Sequence, residues 1–119
     1  MPLDFYSECD SPQTIEALAD ALRAGGHWVS LVAADAALPA WFFVNPVDLV
    51  FNIAEGTRGE YRESQVPAVL ESLGIPFTGS RSLTLALALD KAKTKQVLAS
   101  AGLRTPAWQL FPTTNTPLN

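Results

Sequence analysis

The chain has 119 residues, 48% of them hydrophobic and 17% charged, a composition typical of a compact globular domain rather than a disordered segment. Its net charge of −4 argues against nucleic acid and against an anionic membrane surface as partners, because both need a dense basic face. The single cysteine, Cys9, and the single histidine, His27, exclude a disulfide framework and a zinc site built by this chain alone.

The N-terminal sequence has neither a basic region nor an apolar region of the kind found in a signal peptide. Uncharged runs are too short or too polar to cross a membrane. We therefore expect a soluble, cytoplasmic protein.

The first predicted element is a capped helix. Ser11 is a favourable N-cap, Pro12 suits the first helical position, and Gly25 with Gly26 ends the apolar periodicity. Residues 27–34 then predict a buried strand, and His27 at its start is interpreted as structural. Residues 37–46 contain two prolines and predict an irregular segment.

The run "VDLVFNI", residues 47–53, is the strongest strand signal, and its lack of alternation predicts a strand covered on both faces. A polar loop follows. A helix is expected from about Ser64, with Pro67 in its first turn and Gly74 at its end.

The remaining residues predict a short strand and turn over 75–80 and a helix, in one or two pieces, over 82–101 that ends at Gly102. Residues 105–111 predict a last strand, and residues 112–119 predict a tail without structure.

Strands and helices thus alternate as β-α-β-β-α-β, which predicts right-handed crossovers and a parallel sheet. The expected fold class is α/β, a Rossmann-like parallel sheet in one domain over residues 1–111. Only "LDFY", residues 3–6, is available as a first strand, whereas a doubly wound sheet normally begins with a longer central strand; the pattern leaves open whether this strand is cut.

Three of the eight basic residues alternate in "LDKAKTK", residues 89–95. On a helix Lys91 and Lys95 share a face, whereas Lys93 points roughly opposite. Spacing alone favours a solvated helix face. The alternative is that one lysine contacts a ligand phosphate as a point charge. Neither of the common glycine-rich phosphate-binding motifs occurs in the sequence.

Residues 47–108 add context to these lysines through three motifs: "VFNIAEG", "SLGIPFTGS" and "ALDKAKTKQVLASAGLRTP". In this order and spacing they resemble the N-terminal domain of D-alanine–D-alanine ligases and their ATP-grasp relatives. The resemblance implies an ATP-dependent carboxylate–amine ligase with an acyl-phosphate mechanism, acting in peptidoglycan precursor synthesis. Its N-terminal domain would be a Rossmann-like sheet that binds the first amino-acid substrate.

The resemblance assigns the lysines unequal roles. Lys95 matches the second lysine of the family's Asp-Lys-x-x-x-Lys motif, which contacts the ATP phosphates, and Lys91 matches the first. Lys93 has no functional counterpart and is expected to be solvated.

One departure from the family concerns the substrate. Glu55-Gly56 stands where the ligases usually carry His-Gly, which changes the charge offered to a substrate. The acidic residue that the ligases place near the substrate's amino group is either Asp10 or Glu8. As structural alternatives, Asp10 is a charge favoured by a helix dipole and Glu55 is a loop carboxylate.

The ATP-grasp region, which in the family holds ATP and Mg²⁺, would follow Phe111 and is absent from this sequence. We therefore expect no metal site, no tight ATP binding and no catalysis by this chain alone. The resemblance also implies a homodimer. A free-standing, non-catalytic Rossmann-like module for protein–protein contact is the alternative.

Overall fold

The computed structural model describes residues 9–56 and 58–118. Glu8 and the expected first strand at residues 3–6 lie outside the described residues. The described helices are α1 (Pro12–Ala24), α2 (Leu38–Val44), α3 (Gln65–Leu73), α4 (Ser82–Leu89) and α5 (Lys91–Ser100), with a 3₁₀ turn (Arg62–Ser64) directly before α3.

Local capping signals in the sequence correctly predict both ends of α1 and the C-terminal end of α3. The Ser11 hydroxyl accepts a hydrogen bond from the backbone N–H of Thr14 at 3.1 Å, and Pro12 opens α1. Gly74 closes α3 with a φ of 68°, in the left-handed region that favours glycine. The expected helix over residues 82–101 is two helices, because Asp90 has an extended backbone (ψ 97°) that interrupts it.

The expected Rossmann-like parallel sheet is wrong. Across residues 9–56 and 58–118, β pairing consists of one isolated parallel bridge between Val50 and Phe77. The N–H of Val50 donates to the carbonyl of Pro76 at 2.9 Å, and the N–H of Thr78 donates to the carbonyl of Val50 at 3.0 Å. The next donor, the N–H of Asn52, bonds the Thr78 hydroxyl at 3.1 Å instead of a backbone carbonyl. The ladder therefore stops after one step.

Residues 27–34 and 105–111, both expected to be strands, also lack strand structure. The indole of Trp28 is 98% exposed, and Trp108 is 41% exposed. An apolar, β-branched run favours a strand only where a neighbouring backbone pairs with it, since β propensity depends on packing context. Neither segment has such a neighbour in the described part of the chain.

Helix α2 falls where the two prolines predicted an irregular segment. The carboxylate of Asp35 accepts a hydrogen bond from the N–H of Ala37 at 2.8 Å and so orders the turn that precedes the helix. Pro39 lies in the first turn, where a missing N–H costs nothing. Asn45 ends the helix by donating from its side chain to the carbonyl of Trp41 at 2.9 Å.

The hydrophobic core lies between α2 and α3. Leu38 and Phe42 of α2 and Leu70 of α3 are buried, with Leu70 fully inaccessible to solvent. The partly buried residues that pack on them are Trp41, Val47, Val50, Val66, Leu73, Ile75 and Phe77. Both residues of the β bridge thus lie against this core.

The rest of the chain is loosely packed around that core. The radius of gyration is 17.8 Å, whereas a compact chain of this length would have about 13.5 Å. None of the described helices is long and apolar enough to cross a membrane.

We expect Leu70→Ala to lower the free energy of unfolding by about 2–5 kcal/mol, because it removes buried methyl groups and leaves a cavity. Leu83→Ala on α4 is the matched control, since Leu83 is 80% exposed. It should change the free energy of unfolding by less than about 0.5 kcal/mol. Urea unfolding followed by circular dichroism measures both. Equal effects would show that the α2–α3 cluster is not the stabilising core.

Candidate functional site

The loop that carries Glu55 begins where the β bridge ends. The Asn52 side chain accepts a hydrogen bond from the N–H of Ala54 at 3.2 Å, which turns the chain away from residues 77–78. Glu55 and Gly56 follow directly, and both are partly buried. The Asn52 turn therefore sets the position of the predicted substrate residues relative to the core.

The backbone of Gly56 is in close contact with Arg62, in the 3₁₀ turn that precedes α3. Its φ is +69°, and a Cβ built on it would come within 2.5 Å of the Arg62 carbonyl oxygen. A side chain would therefore be both strained and obstructed at this position. The loop is held again at Arg58, whose carbonyl accepts a hydrogen bond from the Gln65 side chain at 2.8 Å.

Asp10 is exposed and directly precedes the N-cap of α1. The hydroxyl of Ser11, not the carboxylate of Asp10, bonds the Thr14 N–H. Helix α1 packs extensively against none of the other described helices. The assignment of Asp10 as a substrate residue stays a prediction.

Lys95 is held against the segment that follows α5. Its ammonium donates to the Thr105 hydroxyl at 2.6 Å and to the Pro106 carbonyl at 3.1 Å. An ammonium has three N–H donors, and among the described residues these two acceptors occupy two of them. The arrangement fixes the charge while leaving a donor for a further oxygen.

Lys91 and Lys93 have different surroundings. The ammonium of Lys91 donates to the carbonyl of Ala88 at 2.7 Å, at the end of the preceding helix. Lys93 pairs with the carboxylate of Asp90 at 2.8 Å and donates to the Tyr61 hydroxyl at 3.3 Å. Its ammonium lies 5.6 Å from the centre of the Tyr61 ring, on the hydroxyl side of the ring. We call Asp90, Lys93 and Tyr61 the Lys93 clasp.

Two members of the clasp, Asp90 and Lys93, are charged across neutral pH. Hydrogen bonds from the Lys93 ammonium and from the Lys93 backbone N–H lower the pKa of Asp90. The stabilisation from Asp90 is therefore complete above the unfolded aspartate pKa of about 3.9 and is lost as pH falls through the lowered value. Asp90, and after it Tyr61, raises the pKa of Lys93. The contribution of Lys93 is complete below the unfolded lysine pKa of about 10.4 and is lost as pH rises through the raised value.

The structure thus joins two of the regions predicted from sequence, the loop after Gly56 and helix α5, through Lys93. The Asp90–Lys93 spacing is visible in the sequence as an N-cap followed by a lysine three residues later. The contact with Tyr61 joins residues 32 positions apart, and no sequence pattern indicates it.

A separate open cleft of about 580 Å³ is lined by residues 74–77 with Glu71 and Arg81. None of the predicted site residues lines it. Among the described residues, no group of three or more His, Cys, Asp or Glu side chains could hold a metal ion.

Comparison with known proteins identifies the relatives of this chain. It is 41% identical over 102 residues to a D-alanine–D-alanine ligase of Anaeromyxobacter sp. (strain Fw109-5), covering 86% of this chain and 32% of the relative. A D-alanine–D-alanine ligase of Aquifex aeolicus is 39% identical over 85% of the chain and 34% of the relative. D-alanine–D-alanine ligase B of Xanthomonas campestris pv. campestris is 40% identical over 75% of the chain and 28% of the relative.

The resemblance seen in the three motifs is confirmed: the chain is a D-alanine–D-alanine ligase-like sequence. It spans about a third of the length of the curated relatives it matches. No protein-family model matches it. No solved structure matches it either.

We expect Gly56→Ala to destabilise the chain more than Gly74→Ala does. Both glycines have nearly the same positive φ, +69° and +68°, so the backbone strain of about 1–2 kcal/mol is common to both changes. A Cβ at position 74 meets nothing within 4 Å, whereas at position 56 it meets the Arg62 carbonyl. Urea unfolding of the two variants measures the difference, and equal destabilisation would show that the loop does not lie on Arg62.

Proposed function

We propose that this chain provides the first-substrate portion of an ATP-dependent carboxylate–amine ligase of the D-alanine–D-alanine ligase type. The observation that carries the proposal is about 40% identity to such ligases over most of the chain. In the proposed reaction the carboxylate of one amino acid receives the γ-phosphoryl group of ATP, which releases ADP. The amine of a second amino acid then attacks the acyl carbon and displaces phosphate.

The surroundings of Lys95 support its role as the phosphate contact. Thr105 and Pro106 hold the ammonium at fixed distances, and a donor remains for a phosphate oxygen. One charge-assisted hydrogen bond contributes about 1.5–3 kcal/mol, whereas millimolar affinity needs about 4 kcal/mol. Lys95 therefore assists a nucleotide whose adenine and Mg²⁺ are held by other groups.

The Glu55–Gly56 loop supports binding of the first amino acid. The loop has a defined position, and a carboxylate there favours the ammonium of an amino acid over a second carboxylate. By analogy with its relatives we place the reaction in the cytoplasm, in the supply of a dipeptide for peptidoglycan precursors.

A chimera tests this function. The matched 101 residues of the Aquifex aeolicus ligase are replaced by the corresponding segment of this chain, and ADP and phosphate release are measured with D-alanine and with a panel of other amino acids. We expect amino-acid-dependent release of both products. We expect Lys95→Ala to raise the KM for ATP about tenfold or more, because it removes a charge-assisted contact.

Arg23→Ala is the matched control for the loss of a cation. Arg23 forms exposed ion pairs with Glu16 and Asp20 on α1, which contribute little to stability. The KM for ATP should not change in this variant. A folded chimera that releases no ADP with any amino acid, while the parent ligase is active, would contradict the proposed function.

We also propose that the chain self-associates. Trp28, Leu31 and Val32 form an exposed apolar segment, and contiguous apolar surface of this kind tends to be covered by a partner. We expect sedimentation at high micromolar concentration to show a dimer or a larger species. Trp28→Gln should reduce the associated fraction, whereas Leu83→Gln, at a solitary exposed position on α4, should not. A clean monomer at this concentration would contradict the proposal.

A further inference from the structure

We propose that Lys93 is a positioning residue that holds the Glu55 loop against helix α5. The resemblance leaves Lys93 without a function, yet its side chain joins the loop to the helix. That this loop binds the amino-acid substrate rests on the proposed function, whereas the contact itself does not.

The ammonium of Lys93 is itself fixed by the end of its helix. One oxygen of the Asp90 carboxylate accepts the backbone N–H of Lys93 at 2.9 Å, and the other pairs with the ammonium at 2.8 Å. Because Asp90 is the N-cap of α5, the ammonium is anchored to the start of the helix. The charge therefore meets Tyr61 from a set position.

Tyr61 lies at the end of the loop opposite the Asn52 turn. Between these two ends the loop is held by the approach of Gly56 to Arg62 and by the Gln65–Arg58 hydrogen bond. The carbonyl of Tyr61 accepts hydrogen bonds from the N–H of Ser64 at 3.0 Å and from its hydroxyl at 2.7 Å. A displacement of Tyr61 would therefore also displace the 3₁₀ turn. Because Arg62 of this turn is in close contact with Gly56, the backbone of Gly56 would shift as well.

Helix α5 contacts the two sides of the proposed site through different lysines. Lys93 contacts the loop of Glu55, and Lys95 contacts Thr105 and Pro106. These lysines are two positions apart and so project from roughly opposite sides of the helix. Loss of the Lys93 contact would therefore release the loop while Lys95 keeps its contacts with Thr105 and Pro106.

Nuclear magnetic resonance of the 119-residue chain tests the clasp. The reporters are hydrogen exchange at the Ser64 amide, which donates to Tyr61, and backbone relaxation of Glu60 and Tyr61. Exposed charged contacts support about a two- to fivefold change in a local opening equilibrium. We expect Lys93→Met to speed Ser64 exchange by about that factor, and Lys93→Arg, which keeps the charge and N–H donors for Asp90 and the Tyr61 hydroxyl, to restore slow exchange.

Lys91→Met is the matched control on the same helix, because the Lys91 ammonium donates to the Ala88 carbonyl at 2.7 Å rather than to Tyr61. The Ile15 amide in α1, which donates to the Ser11 carbonyl at 3.0 Å, is the internal control and should exchange at an unchanged rate in all variants. Unchanged Ser64 exchange in Lys93→Met, equal acceleration in Lys91→Met, or no rescue by Lys93→Arg would overturn the proposal.

The chimera described above separates this inference from the proposed function. In an active chimera, Lys93→Met should raise the KM for the amino acid more than the KM for ATP, because the clasp acts on the loop. Equal effects on both would overturn the positioning role. An inactive chimera counts against the proposed function, and the exchange experiment still decides whether the clasp holds the loop.

Discussion

The single parallel pairing of Val50 with Phe77 organises the central part of this molecule. Its two backbone hydrogen bonds bring residues 47–53 against residues 75–78, and both bridging side chains pack on the cluster around Leu70. A bridge of one step cannot support a sheet, but it determines where the chain leaves the core. Directly after the bridge, the backbone changes direction at Asn52 on one side and at Thr78 on the other.

From this bridge two segments diverge and meet again. One is the Glu55 loop, which returns through Gly56 and Arg62 to α3. The other passes through Ser82, whose backbone N–H and hydroxyl both donate to the carboxylate of Glu71, so that α3 positions the start of α4. Helix α4 packs on the 3₁₀ turn and on α5. The Lys93 clasp connects α5 back to the Glu55 loop, so that the loop, α3, α4 and α5 form a closed series of contacts.

The proposed chemistry needs Glu55 and Lys95 in a defined relative position, which depends on this series of contacts more than on any one side chain. Glu55 and Lys95 belong to segments with separate supports, and only Pro67 and Leu70 are buried among the described residues between them. Exposed polar contacts are individually weak, so the relative position of the two sides relies on several of them acting together. The buried Leu70 cluster, in contrast, stabilises the bridge through apolar contact and contains no titratable side chain, so its contribution does not depend on pH.

The sequence by itself determined the features that depend on neighbouring residues. The Ser11 cap, the glycine end of α3 and the resemblance to D-alanine–D-alanine ligases follow from local spacing and motif order. Only the tertiary structure decided how the apolar runs pair. Residues 47–53 have the composition of a buried strand, yet the Thr78 hydroxyl takes the N–H that a ladder would use. The contact of Lys93 with Tyr61 was likewise decided by the fold, because a hydrogen bond across 32 residues depends on the path of the chain between them.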